Sequence, residues 1–210
     1  MEFDESFWDE RYRQHGRHSL VWSGEPNAQL VAEAADLTPG SALDVGAGEG
    51  ADAAWLARRG WRVTAVDISS VALARAAAAV QDEPETAARI TWQHQDLTVS
   101  PPPAGTFDLV SAQFLHLPAP LRAGVYSRLA ASVAPGGTLL IVGHHPSDLE
   151  TSVRRPSAPG LLFTAEEIAA GLDPEEWEIM TCASRPRATG DSDGAPVTVQ
   201  DAVLRARRRA

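Results

Sequence analysis

Apolar residues recur along this 210-residue chain with two periods, and each change of period marks an element. In residues 3–14, Phe3, Phe7, Trp8 and Tyr12 fall in one sector of an amphipathic helix. His15-Gly16-Arg17-His18-Ser19 breaks it, and Leu20-Val21-Trp22 then reads as a buried anchor. A second helix is expected over residues 26–37, with Pro26 in its first turn. Short apolar runs at 42–45, 62–67, 90–94, 107–112 and 138–142 read as strands. Helical stretches at 51–59, 71–80 and 120–133 separate most of them, with Gly60 capping the first and Ser69 opening the second. The alternation predicts an α/β chain with a mostly parallel sheet. Gln81 to Thr86 ends the alanine-rich helix, and Ser100-Pro101-Pro102-Pro103-Ala104-Gly105 is a loop. Beyond residue 142 the pattern thins to a helix over 165–172 capped by Thr164, then two strands at 177–183 and 197–205.

Chemistry concentrates where the first strand ends. Asp44-Val45-Gly46-Ala47-Gly48-Glu49-Gly50 runs from a strand through a glycine turn into a helix N-terminus, the layout of a nucleotide-binding corner. The second strand ends in Asp67, about 20 residues after the first glycine, where a carboxylate meets a ribose. The spacing also satisfies the loose pattern of NAD-binding proteins. Charge separates the readings. Asp44 and Glu49 make a poor cradle for a pyrophosphate, since like unit charges 4 Å apart repel by about 4 kcal/mol at an effective dielectric of ~20. S-adenosylmethionine (SAM) has a ribose and an adenine, no phosphate, and two positive centres.

Leu43 to Gly50, with Asp67 after it, resembles the first motifs of the class I SAM-dependent methyltransferases. The resemblance implies a Rossmann-like, seven-stranded, mostly parallel sheet with an antiparallel strand seven, flanked by helices. It implies cofactor contacts from Asp44, Gly46, Gly48, Gly50, Asp67 and Ile68. Asp96 falls where the family accepts from the adenine amino group, and Leu97 where it packs on the ring. Gln113 leaves strand four beside the ligand. Asp108 and Ala134-Pro135-Gly136-Gly137 also fit the family pattern; Ala47, where many members have Cys, departs from it. The N-terminal helix, Trp22 and the run from Trp55 to Trp61 resemble the thiopurine and tellurite-resistance branch, which methylates small sulfur, selenium or tellurium nucleophiles. In thiopurine methyltransferases two N-terminal aromatics four residues apart contact the cofactor. Trp8 and Tyr12 match, so the first helix is either a lid over the sulfonium or plain packing.

Composition narrows the partners. A net charge of −10 argues against general nucleic-acid binding, and all 18 basic residues are arginine, which excludes a lysine Schiff base or P-loop lysine. Asn/Asp-Pro-Pro-Tyr/Phe, the mark of base-methylating enzymes, is replaced by Gln113-Phe114-Leu115-His116. A single Cys182 rules out an internal disulfide. No apolar run suits a membrane helix and the acidic start is unlike a signal peptide, so a cytoplasmic protein is expected. The basic run from Arg205 to Arg209 reads as a solvated terminus.

The chain is expected to be one domain: N-terminal helices over 1–37, a SAM-binding core over 41–142, and C-terminal strands over 143–210. His116 is the candidate general base, with packing beside the cofactor as its other reading. No metal is expected, because adjacent His144 and His145 point apart. The function read here is methyl transfer from SAM to a small molecule. A SAM-binding subunit without turnover and an NAD(P)-dependent oxidoreductase are the alternatives.

Overall fold

The computed structural model describes residues 3–15, 19–153, 160–191 and 193–210. Gly16, Arg17 and His18, the middle of the expected break after the first helix, lie outside the described residues, as do residues 154–159 of the later connection. Five strands, β1 (Ser41–Val45), β2 (Arg62–Asp67), β3 (Ile90–His94), β4 (Phe107–Gln113) and β5 (Val133–His144), run parallel. With β6 (Trp177–Gly190) and β7 (Pro196–Arg208) they form a seven-stranded sheet in the order β3-β2-β1-β4-β5-β7-β6. Only β7 runs against the rest: it pairs antiparallel with β5 on one side and β6 on the other. This is the expected Rossmann-like, seven-stranded sheet with an antiparallel strand seven.

The central strands are largely apolar, with Asp44 and Ser111 among the exceptions, because helices cover both faces. In β5, Leu139 and Ile141 enter one core with Leu43, Val45, Val110 and Leu129. Leu140 and Val142 enter the other with Leu30, Leu56 and Trp61. The chain order turns at β1, from which β2 and β4 depart to opposite sides. Such a switch point opens a crevice at the carboxyl ends of the strands.

The helices are α1 (Glu5–Gln14), α2 (Ala28–Ala34), α3 (Ala51–Arg58), α4 (Ser70–Ala79), α5 (Pro84–Ala87), α6 (Ala119–Ser132) and α7 (Ala165–Ala169). Ser69 caps α4 by accepting from the Ala72 N–H, an interaction worth about 1 kcal/mol. Several elements differ from the sequence reading. The second helix is shorter than 26–37, because Asn27 takes the cap by accepting from the Gln29 N–H and leaves Pro26 ahead of it. Residues after the alanine-rich helix form α5, nucleated by Pro84 in its first turn. Leu20 and Trp22 are exposed rather than a buried anchor, since this stretch lies along the rim of the cavity described below. The final strands extend well past 183 and begin before 197, forming a long hairpin. Arg185-Pro186-Arg187 disguised that extension, yet β6 is an edge strand, where proline is tolerated. Among the described residues no helix is long and apolar enough to cross a membrane.

Candidate functional site

A cavity of about 940 Å³ opens at the carboxyl edge of the sheet. One wall is the turn between β1 and α3. Gly46, Gly48 and Gly50 all have positive φ, at 70°, 53° and 82°, a region costly for other residues. A Cβ on Gly48 would lie 3.0 Å from the Tyr12 hydroxyl, and one on Gly46 would lie 3.1 Å from Leu115. The turn therefore brings bare backbone to the cavity.

Asp67 ends β2 beneath this turn. One carboxylate oxygen accepts from the Gly48 N–H at 2.8 Å and the other from the Ser69 N–H at 2.8 Å. Burial raises its carboxyl above the usual range, against the pull of those two N–H donors. Each oxygen keeps further acceptor capacity for a ligand hydroxyl. Asp52, at the start of α3, accepts from the Asn27 N–H at 2.6 Å; burial pushes its carboxyl up to about 6. Asp44 sits behind the turn, with 2% exposure, and does not line the cavity. Burial, with Asp52 and Asp67 nearby, lifts it well above the carboxylate range, and its Oδ2 has no hydrogen-bond partner among the described residues. Gln113 donates through its amide to Ser111, while its buried Oε1 has no hydrogen-bond partner among the described residues. Ile68, Asp96 and Leu97 line the same side; Asp96 accepts from the Thr98 N–H and hydroxyl through one oxygen.

Glu49 has a role that the sequence reading did not give it. Its carboxylate accepts from the Val21 and Trp22 N–H groups and pairs with Arg75 at 3.0 Å. Arg75 in turn donates to the carbonyls of Tyr12, His15 and Ser19. The charge counted against a pyrophosphate is thus compensated, and it fastens the N-terminal segment to the turn. Asp9 makes a second fastening, accepting from the Ser69 hydroxyl at 2.6 Å and the Val71 N–H at the start of α4. Burial alone would raise the Asp9 carboxyl, but Ser69, Val71 and Arg13 together hold it below its ordinary range.

The facing wall is a run of flat groups. Trp8 lies 6.4 Å from Tyr12, 6.4 Å from Trp22 and 5.5 Å from His116, centroid to centroid. His116 meets His144 at 5.8 Å, and His144 stacks on Phe114 at 4.5 Å. Tyr12 is buried; its hydroxyl accepts from the Trp22 indole at 2.9 Å, and burial pushes that hydroxyl upward from its ordinary range. His145 does not join His144 on this wall: its Nδ1 bonds to Ser147. Every site residue read from the sequence except Asp44 therefore reaches one cavity.

Sequence reasoning missed Phe114 and Arg187. Phe114 is the only described non-glycine residue with positive φ, at 52°, which aims its ring between His144 and the Arg187 guanidinium. No spacing signal announced either residue, because Arg187 reaches the cavity only through the unforeseen length of β6.

The donor set suits SAM. Glu49, Asp52 and Asp67 on the turn side, with Gln113 Oε1, which accepts from no described residue, fit a cofactor with a ribose and positive centres. Comparison with known proteins agrees. A methyltransferase-domain family matches residues 42–137. An uncharacterised methyltransferase of Mycobacterium tuberculosis is 44% identical over 101 residues, which are 48% of each chain; this chain spans about half the length of the curated relatives it matches. Among solved structures, TehB from Haemophilus influenzae superposes with a TM-score of 0.73 at 19% identity, covering 98% of this chain and 67% of its own. Magnesium protoporphyrin IX methyltransferase from Synechocystis, with bound S-adenosylhomocysteine (SAH), gives 0.68 at 20% identity, with 98% and 97% covered. At these identities the two structures speak for the fold alone.

Proposed function

We propose that this chain, whose residues 42–137 match a methyltransferase-domain family, is a class I SAM-dependent methyltransferase that transfers the methyl group of SAM to a small-molecule nucleophile. The observation that carries this reading is the glycine turn with Asp67 beneath it, on a cavity large enough for a cofactor and a second molecule. Asp67 would take the ribose hydroxyls, Asp96 and Leu97 the adenine, and Gln113 the ammonium, with Gly46, Gly48 and Gly50 giving close backbone approach. Asp44 acts from behind the turn by fixing its charge and shape.

When bound, SAM supplies an electrophilic methyl on a sulfonium leaving group. The protein's own part is alignment and exclusion of water. Trp8 and Tyr12 close the cavity over that region. His116 is the proposed acceptor for a proton that the nucleophile must lose, and its place on the cavity wall after β4 supports this role. The resemblance to the thiopurine and tellurite-resistance branch favours sulfur, selenium or tellurium as the methylated atom, with oxygen or nitrogen as the other choice. The proposal takes the chain as one catalytic domain working in the cytoplasm on no nucleic acid.

The test is calorimetry with SAM, SAH and NAD, followed by labelled SAM with a panel of thiols, selenite, phenols and amines. Binding of SAM and SAH, none of NAD, and SAH formation with one class of nucleophile are expected. Tight NAD binding with no heat from SAM would refute the reading. SAM binding with no turnover across the panel would favour the non-catalytic subunit.

A further inference from the structure

The wall facing the glycine turn carries a group that SAM does not require. Alternation along β6 puts Arg185, Arg187 and Thr189 on one face of the strand. Arg185 is taken up by Gln29 and Glu33. Arg187 and Thr189 line the cavity. The Arg187 Nε donates to both oxygens of Asp201, at 3.1 and 2.9 Å, and Asp201 has 0% exposure. Gln29 donates to the same carboxylate, so the anchor is fixed from two sides. The guanidinium lies over the Phe114 ring, 5.3 Å from its centroid. Through this Nε anchorage the group is held in place, while Nη1 and Nη2 donate to no described residue. The side chain keeps 30% exposure.

The charges on the cavity are divided. Glu49, Asp52, Asp67 and Asp96 come from the turn and the ends of neighbouring strands. The cationic side is Arg187, with Arg11 stacked over Trp22 at the rim. A planar guanidinium with both terminal nitrogens presented matches a carboxylate in two-point fashion, and its anchored stem loses little freedom on binding. The neighbouring surface, from Phe114 through His144 and His116 to Trp8, is a succession of flat groups.

We propose that Arg187 is the anion-binding residue of the substrate pocket, and that the substrate is a planar aromatic carboxylate whose nucleophilic atom lies away from the acid group. This inference rests on the methyltransferase reading for its use, though not for its test. Asp201 already balances the charge of Arg187, so recognition works through directed N–H donors more than through net charge.

The experiment compares para-hydroxybenzoate with para-hydroxybenzamide, which share a shape and differ in charge, by calorimetry and ligand-observed NMR with and without SAH. Wild type is expected to prefer the acid by about tenfold or more. Arg187→Gln should erase the preference, and Arg187→Lys, which keeps the charge without the fork, should retain only part of it. If Arg187→Gln fails to fold because Asp201 is left buried and alone, Arg187→Gln/Asp201→Asn removes both charges and should show the same loss. Equal binding of acid and amide, binding of neither, or a preference that survives these variants would overturn the proposal. SAH titrated into wild type alone separates the two readings: failure there strikes the methyltransferase assignment, while the acid–amide comparison needs no cofactor.

Discussion

The wall at the glycine turn draws most of its polar groups from residues 44–69, whereas the wall facing it is assembled from Trp8, Phe114, His144 and Arg187, which lie far apart in sequence. On the first wall, backbone N–H groups fix a carboxylate, as Gly48 and Ser69 fix Asp67. On the second, rings lean on rings and α1 is held by two polar fastenings, Arg75 with Glu49 and Asp9 with Ser69. The first wall is a local design that one strand–turn–helix unit can carry. The second exists only after distant segments have met, and its geometry depends on contacts that single substitutions can remove.

That contrast can be broken from either side. The largest effect is expected from Arg75→Met. It leaves Glu49 buried without its cation and removes the donor to three N-terminal carbonyls, costing about 3 kcal/mol. Urea unfolding should show the loss, and hydrogen exchange should quicken in α1 while α3 keeps its protection. Uniform exchange across both helices would mean that the two walls are one unit. Next in size, Asp67→Ala should weaken SAM by about 1.5–3 kcal/mol, more than tenfold, with the circular dichroism of the fold retained. An unchanged dissociation constant would remove the ribose role. The smallest effect, and the one that bears most on the second wall, is expected from Trp8→Leu/Tyr12→Leu. Leucine keeps apolar bulk but has no π face, so SAM should lose about 0.5–2 kcal/mol more than neutral SAH. If the ratio of the two affinities does not change and turnover survives, α1 packs on the cavity without serving the sulfonium.

The same contrast explains what could be read from the chain. β1, β2 and β3 emerged nearly residue for residue, because short apolar runs between glycine and proline signals leave little choice of element. Asp67 could be named because its distance from the turn is set by one crossover unit, and Asp96 and Leu97 because the family resemblance points to the positions after β3. Leu20 and Trp22 were misjudged because hydrophobicity alone cannot say whether a residue faces a core or a ligand cavity. Glu49 was read as a bare charge; its partner Arg75 sits on α4, and nothing in the spacing connects them. Arg187 lies past 183, where the expected strand ends, and its neighbour Pro186 fits a strand because β6 is at the edge of the sheet.

The placement of β7 between β5 and β6 has a consequence for how the protein is made. β5 is apolar along Leu139-Leu140-Ile141-Val142, and its outer edge pairs with residues 201–207 of β7. While a ribosome is still adding those residues, the parallel half of the sheet has partners and β5 ends it as an open template. β6 emerges earlier but cannot cap that edge in the native order, since it needs β7 in between. The nascent chain therefore presents an unpaired hydrophobic strand until the β6–β7 hairpin closes, which is the interval when aggregation or a holding chaperone would compete for it.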